Sequence, residues 1–244
     1  MKFIIHSQPR AGSAMLRDSI SGHPDLTCLW ELYNPKIRYL QELRVRINKH
    51  VDREVLAIAR AAYSFAQGFT LHGGQQDSAV YKDVLRKLIG KYPDLKVIFL
   101  TRKDAFAQAC SYMRALKTKR WGLYHFRKDQ VKSKDIKPMD FRGDLGRMLQ
   151  FAEREFKARR KARKQLRDQE SHTVFYEDMC DNFDETMAGV FEFLGVKPCT
   201  VTPRTIKQAA KPLSEMVVAY EETRNRFERR FGDKFGGRTT LDVV

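Results

Sequence analysis

The turn that follows the first apolar segment carries residue types that bind anions. It reads SQPRAGS, with Arg10 as a fixed positive charge, Gly12 as a residue that permits close backbone approach, and Ser13 as a hydroxyl that can cap a helix. Unpaired N–H groups at the start of the following helix, together with the positive end of its dipole, attract phosphate-like groups. The GxxxxGK[ST] spacing of the nucleotide-hydrolysing loop is missing, which disfavours ATP or GTP hydrolysis and a kinase-like P-loop protein. Taken alone, the pattern also fits an ordinary loop.

A second stretch of the same kind is LTRKDAFAQACSYMRA. Arg102 follows the buried apolar run Val97–Leu100, and Ser111 lies in the helical pattern after it. If that helix bends over the same edge as the first turn, Arg102 and Ser111 can bind a second phosphate. A capped helix with an exposed arginine explains the same residues equally well.

Both stretches are strand-to-helix units, and the chain repeats this alternation. Continuous apolar runs are typical of buried parallel strands, so the pattern predicts an α/β fold with a mostly parallel sheet. The predicted strands are Lys2–Ser7, Gly68–Leu71, Val97–Leu100 and Thr173–Tyr176, with Leu26–Leu29 as a strand or extended loop. The predicted helices are Ser13–Ser21, Arg38–His50, Asp52–Gln67, Ala79–Tyr92, Asp104–Leu116 and Asp184–Leu194.

Composition limits the class of protein. The chain has 244 residues, 42% of them hydrophobic, and no Pro/Gly/Ser-rich linker, so we expect a single domain over residues 1–244. Its formal charge of +16 favours an anionic partner or cofactor. Four scattered cysteines without a CxxC pair argue against a zinc or redox site, and no export signal or apolar span is evident, so we expect a cytoplasmic protein without a transmembrane segment.

Two basic segments raise alternatives. The run Glu153–Asp168 is a strongly basic helix, which fits a polyanion-binding or nucleic-acid-binding protein but is more typical of a solvated helix face. No nucleic-acid-binding motif accompanies it, so we expect no specific nucleic-acid partner. The segment Lys117–Asp140 is basic, aromatic and without periodicity, as expected of an acceptor-side loop or lid.

Five segments together resemble sulfotransferases that use 3'-phosphoadenosine 5'-phosphosulfate (PAPS), in the order of that family. HSQPRAGSAML is similar to the 5'-phosphosulfate loop, and VIFLTRKDAFAQACSYMRA to the 3'-phosphate motif. HPDLTCLWELYNP resembles the segment after the first helix of bacterial carbohydrate sulfotransferases, including the nodulation-factor type. FYEDMCDNFDETMAGVFEFLGV and PLSEMVVAYEETRNRF resemble the family's later segments. The resemblance implies a P-loop NTPase-like three-layer sandwich, with a central mostly parallel sheet flanked by helices.

The resemblance also implies roles for individual residues. Glu31 is the expected general base, which takes the proton from a hydroxyl acceptor. The expected acceptor is a carbohydrate or a small metabolite. The alternative is that Glu31 is an ordinary surface glutamate near a turn. Arg10 is expected to neutralise charge on the leaving oxygen. Apart from the resemblance, His72 stands beside Gly73 and Gly74 and is the fallback base or an acceptor contact, with a structural histidine as the more common alternative. No metal takes part. The expected PAPS-binding residues are Arg10, Ala11, Gly12, Ser13, Ala14, Arg102, Ser111, Lys207 and Lys211.

Three residues depart from the family pattern, and three others invite a second interpretation. Ala11 and Ala14 replace common hydroxyl residues, and Thr70 stands where lysine is frequent. Tyr176, Glu177 and Asp178 could pass for paired acids. We interpret them as structural, with Tyr176 packing and a carboxylate bonding the loop or helix start.

Overall fold

A computed structural model describes residues 1–29, 68–72, 79–119, 137–202 and 211–235. Its strands are β1 (Phe3–Ser7), β2 (Cys28–Leu29), β3 (Gly68–His72), β4 (Lys96–Thr101) and β5 (Ser171–Phe175). Its helices are α1 (Ser13–Ile20), α2 (Ala79–Lys91), α3 (Ala105–Thr118), α4 (Leu145–Gln165), α5 (Tyr176–Asp181), α6 (Phe183–Leu194), α7 (Leu213–Met216) and α8 (Tyr220–Phe235).

Most of the predicted strands and helices are present in the structure, with small shifts at their ends. Tyr176 begins α5 instead of ending a strand, and only Cys28–Leu29 of the proposed strand Leu26–Leu29 joins the sheet. The predicted helices Arg38–His50 and Asp52–Gln67 lie outside the described residues.

The sheet is parallel in every described pair, in the order β2-β3-β1-β4-β5. β1 and β4 lie side by side in the middle, with Phe3 opposite Lys96 and Ser7 opposite Leu100. Central parallel strands are covered on both faces, which explains why both sequences are nearly continuous apolar runs. The predicted α/β class with a parallel sheet is therefore confirmed.

Helices cover both faces of the sheet. One face presents alternate residues of β1 and β4, such as Ile5 and Leu100, to α1 and α6. The other face presents Ile4 and Phe99 to α2 and to the second half of α4. The result is a helix–sheet–helix sandwich with the sheet in the middle layer.

Most of the basic run Glu153–Asp168 lies in α4, which begins earlier than expected, at Leu145, and ends at Gln165. This part of the helix is not simply a solvated face. Glu155 and Arg159 are only 1% and 2% exposed. Arg163 lies over the Phe99 ring at 4.6 Å and donates to Thr173 Oγ1 at 2.8 Å. The inner side of this helix therefore carries charged groups into the packed layer, and only its outer side matches the expectation.

The carboxyl edge of the sheet gathers three chain segments. Because β1, β4 and β5 are parallel neighbours, the turns after Ser7, Thr101 and Phe175 leave from the same edge. α1 packs on one face, whereas α3 packs against α4 on the opposite side. A crevice between strands whose helices diverge in this way is where open α/β sheets bind ligands.

None of the helices in the described ranges has the length and apolar character needed to cross a membrane.

Candidate active site

The turn after β1 is a tight backbone structure held by its own hydrogen bond. The Ala11 N–H donates to the Gln8 carbonyl at 3.1 Å, and Arg10 has a left-handed φ of 66°. Gly12 follows with φ 93° and is the residue that precedes the first turn of α1. A non-glycine residue seldom adopts positive φ, so the fold holds Arg10 in an unfavourable backbone conformation at the site.

Ser13 does not cap the helix as expected, because Gly12 occupies the cap position and no side chain bonds to the first turn. Ser13 is instead the first helical residue, so its N–H is among those that lack an acceptor within the helix. Ala11 is fully buried with its methyl in the core, and its N–H is used within the turn. The anion donors that the turn retains are thus Arg10, Ser13 and the N–H groups that begin α1.

The second predicted segment meets the first directly. Arg10 Nε donates to Ser111 Oγ at 3.0 Å, and Arg102 Nη1 donates to the Arg10 carbonyl at 3.4 Å. Gln108 Nε2 adds a 2.8 Å bond to the Pro9 carbonyl. Ser111 was expected to act beside Arg102, and the structure places its hydroxyl against Arg10 as well. The two segments therefore form one cationic site.

Asp104 fixes the start of the helix that carries Ser111. Its Oδ1 accepts the Ala107 N–H at 2.8 Å, and its Oδ2 accepts from Arg224 Nη1 of α8 at 3.1 Å. A carboxylate at this position satisfies one of the unpaired donors of the helix and complements its dipole. Ser111 is thus presented by a capped helix that is tied to the C-terminal part of the described chain.

Tyr176 and Glu177 are the site neighbours that the sequence interpretation left as structural. A Cβ atom added to Gly12 would lie 2.5 Å from Tyr176 Cδ2, so the ring occupies the space that a side chain would need. The same ring lies 4.4 Å from the Arg102 guanidinium carbon, and Glu177 Oε1 is 3.6 Å from Arg102 Nε. The expected bond from a carboxylate to the loop is present, since Glu177 Oε2 accepts the Lys103 N–H at 2.9 Å.

The electrostatics of the site favour an anion. Burial and, secondarily, the positive charge of Arg102 lower the pKa of Arg10. Burial is also the main cause that raises the pKa of Tyr176 to about 12, so the phenol is neutral at physiological pH. Arg10 and Arg102 repel each other, and Arg10 is largely removed from solvent, so a negatively charged ligand would stabilise both positive charges.

Only some of the remaining predicted site residues belong to the described part of the chain. Glu31 and Lys207 lie outside the described residues, as do positions 120–136 of the segment Lys117–Asp140. His72 ends β3 in register with Ser7, which places its backbone at the same sheet edge as the turn. Lys211 is exposed, and Ala14 is half-buried in the first turn of α1.

The fold and the site together define an α/β protein in which two arginines, Arg10 and Arg102, lie close together at the carboxyl edge of β1 and β4. The family model described as "Sulfotransferase family" matches residues 3–199. The chain belongs to the sulfotransferase family, and it is a sulfotransferase.

Solved structures share this fold at low sequence identity. A sulfotransferase from Alicyclobacillus acidocaldarius matches with 11% identity and a TM-score of 0.57, over 97% of this chain and 93% of that one. The sulfotransferase domain from the curacin biosynthetic pathway matches with 14% identity and a TM-score of 0.51, over 88% and 81%. No curated protein sequence matches the chain. These likenesses bear on the fold, and the expected P-loop-like sandwich of the sulfotransferases is confirmed.

Proposed function

We propose that this sulfotransferase moves a sulfuryl group from PAPS to a hydroxyl acceptor. The observation that carries the proposal is the direct contact between the two predicted anion-binding segments. Arg10 Nε lies 3.0 Å from Ser111 Oγ, and Arg102 Nη1 lies 3.4 Å from the Arg10 carbonyl. A donor with anionic groups at both its 5' and 3' positions needs two adjacent cationic subsites, and the closeness of Arg10 and Arg102 supports this assignment.

The chemistry of the donor groups fits such a ligand. Arginine pairs with phosphate and sulfate oxygens in a planar fork, and the N–H groups that begin a helix add oriented dipoles. A serine hydroxyl has one proton and two lone pairs. Ser111 can therefore accept from Arg10 and still donate to a ligand oxygen.

Each residue then has a distinct task in the proposed reaction. Sulfuryl transfer resembles phosphoryl transfer in that positioning and electrostatic stabilisation dominate. Arg10 and the N–H groups at Ser13 and Ala14 hold the 5' phosphosulfate and offset negative charge on the leaving oxygen. Arg102 and Ser111 hold the 3' phosphate, with Lys207 and Lys211 as further basic groups. No metal takes part in this proposal.

We propose that Glu31 is the general base that takes the proton from the acceptor hydroxyl, because the segment that contains it resembles the corresponding stretch of bacterial carbohydrate sulfotransferases. His72, whose backbone lies at the sheet edge beside the turn, is the fallback base or an acceptor contact. The aromatic and basic segment Lys117–Asp140 supports a carbohydrate acceptor, since aromatic rings stack on sugars and cations pair with acidic groups. A cytoplasmic location and a single domain over residues 1–244 remain predictions.

The proposal is tested by transfer of labelled sulfate from PAPS to a panel of hydroxyl acceptors, headed by oligosaccharides. We expect Glu31→Gln to keep nucleotide binding and to lose most of the transfer, because the amide cannot take the acceptor proton. General-base removal typically lowers turnover by about 10²- to 10⁴-fold. Near-normal turnover of Glu31→Gln would remove this residue from the role of base. If the folded protein does not bind PAPS and transfers sulfate to none of the acceptors, the donor assignment is contradicted.

A further inference from the structure

The outer side of α4 carries a row of cations, which we call the cationic stripe. Its members are Arg147, Arg154, Lys157, Lys161 and Lys164. They follow one another at intervals of seven, three, four and three residues, and this periodicity places them on one face of the helix. Four of the five residues are exposed, and Lys161 is half-buried. With a rise of 1.5 Å per residue, the stripe is about 25 Å long.

The two acidic residues of α4, Glu153 and Glu155, offset only part of this charge. Glu155 is 1% exposed and accepts from Arg154 Nε at 3.1 Å. Glu153 lies 2.8 Å from Lys157 Nζ and 2.9 Å from Lys234 Nζ of α8, so one carboxylate is shared between two lysines. The bonds from these lysines lower the pKa of Glu153, which keeps it ionised. Both carboxylates of the helix are therefore already in use.

The rest of the stripe has no such partner. Among the described residues, no carboxylate lies within 4 Å of the charged groups of Arg147 and Lys164. Lys157, Lys161 and Lys164 are like charges separated by four and three residues, a spacing at which side chains on a helix repel each other. An anionic ligand along the stripe would reduce this repulsion.

The helix on the opposite face of the sheet has the opposite sign. α6 contains no Lys or Arg, and its acidic residues Asp184, Glu185 and Glu192 are all exposed. α4 and α6 lie in different layers of the sandwich. The positive charge of the stripe is thus a local feature of one layer, and a polyanion would meet repulsion on α6.

The exposed residues of α4 supply charge without apolar or aromatic side chains. Beyond the stripe, they are Gly146, Gln150, Arg160 and Gln165. Folded protein partners are bound largely through aromatic anchors, single-stranded nucleic acids stack on aromatic rings, and helices on membranes insert apolar side chains. A straight row of cations fits a flexible linear polyanion, whose charges can be matched one after another.

A single helix, α3, separates the stripe from the candidate active site. Tyr112 directly follows Ser111 in α3, and its ring stacks on Phe151 of α4 with 4.0 Å between the ring centres. The Arg154 guanidinium carbon lies 5.7 Å from the centre of the same Phe151 ring. A chain molecule bound on the stripe is therefore close to the site that carries the Ser111 hydroxyl.

We propose that the cationic stripe binds a linear anionic polysaccharide, and that this chain is the acceptor. The inference rests on the proposed function and deepens it, because it narrows the carbohydrate acceptor to a chain with regularly spaced acidic groups. The stripe recognises these groups by charge, so the affinity falls steeply as salt is added.

Polygalacturonate, a linear polysaccharide with one carboxylate per sugar, is a suitable probe, and its methyl ester is the matched uncharged chain. Calorimetric titration of the whole protein, without PAPS, measures binding to each. We expect polygalacturonate to bind at about 0.1 M salt and the methyl ester not to bind. The logarithm of the association constant should fall with the logarithm of the salt concentration, with a slope of roughly −2 to −4.

Three single variants locate the bound chain. Lys164→Gln should weaken polygalacturonate by about fivefold at about 0.1 M salt, because it removes one ionic contact. Lys197→Gln removes an exposed lysine just after α6 and should change the affinity by less than about twofold. Glu153→Gln should strengthen binding by about twofold or more, because it removes the carboxylate that Lys157 and Lys234 share. Damage to the fold does not produce such a gain.

The contrary outcomes are separate from those of the donor assignment. Absence of polygalacturonate binding to the folded protein, or equal weakening in Lys164→Gln and Lys197→Gln, would overturn the stripe as a binding site. A DNA duplex, or vesicles of equimolar phosphatidylserine and phosphatidylcholine, that bind more tightly and lose affinity in Lys164→Gln would overturn the polysaccharide as its occupant. Salt-sensitive self-association in sedimentation, lost in Lys164→Gln, would assign the stripe to a second copy of the chain and would overturn it as well. Since PAPS is absent from these titrations, their results do not depend on whether the donor assignment holds.

Discussion

Replacing Gly12 by alanine tests how closely the two halves of the site are packed. The added Cβ has two consequences, since Gly12 has φ 93° and the new atom would lie 2.5 Å from Tyr176 Cδ2. The left-handed backbone costs an L-residue about 1–2 kcal/mol. Overpacking of a restrained ring adds about 1–3 kcal/mol. We therefore expect Gly12→Ala to lower the free energy of unfolding by about 2–5 kcal/mol.

Two other glycines separate these contributions. Gly195 also has a positive φ, 75°, but nothing lies within 4 Å of its added Cβ, so Gly195→Ala measures the backbone cost without the contact. Gly90, within α2, has neither a positive φ nor a neighbour for the added Cβ. Gly90→Ala should be neutral or stabilising by up to about 1 kcal/mol, because alanine restricts the unfolded chain.

Urea denaturation gives the free energy of unfolding of each of the three variants. An unchanged slope of this free energy against urea concentration supports two-state unfolding. The difference between Gly12→Ala and Gly195→Ala is the cost of the contact with Tyr176. Adding Tyr176→Ala to Gly12→Ala should recover that difference as a coupling of about 1–3 kcal/mol. A Gly12→Ala protein no less stable than Gly195→Ala, or a double variant without coupling, would refute the packing of Tyr176 over the turn.

Two further predictions concern groups near the site. Arg224→Gln should destabilise the protein by at least about 1 kcal/mol in thermal or urea unfolding, because it removes the bond to Asp104 together with those to Tyr220 and Glu228. The exposed pair of Arg226 with Glu222 is the control, and Arg226→Gln should stay within about 0.5 kcal/mol. The pKa of Tyr176 is raised to about 12, so the stability that depends on its neutral form is complete below the ordinary tyrosine pKa of 10 and is lost as pH rises through about 12. A spectroscopic phenolate titration should lose one late-titrating group in Tyr176→Phe, and an unchanged curve would contradict the burial.

Part of the site could be predicted because parallel sheets place strand ends at a common edge. The apolar runs of β1 and β4 identify buried strands, and a polar residue after each must then lie at the carboxyl edge. Arg10 and Arg102 follow from that rule. Ser111 could be expected near these arginines on one condition, that the helix after β4 bends over the same edge of the sheet.

The remaining features depend on tertiary packing that no local pattern encodes. The sequence does not say that the Tyr176 ring fills the space over Gly12, since the two residues meet only when β5 joins the sheet beside β4. Arg10 at positive φ is held by its surroundings against its own preference. The burial of Glu155 and Arg159 could not be inferred from a basic run, whose composition is the same whether one side packs or not.

The most direct test is thermal unfolding of the whole chain with adenosine 3',5'-bisphosphate and, separately, with ATP. A ligand that binds only the folded state raises stability by about 2.7 kcal/mol when present at 100 times its Kd. We predict a clear rise in Tm with the bisphosphate, none with ATP at the same concentration, and loss of the rise in Arg102→Ala. Equal rises with the two nucleotides, or no rise with either, would contradict a donor site formed by Arg10, Ser111 and Arg102.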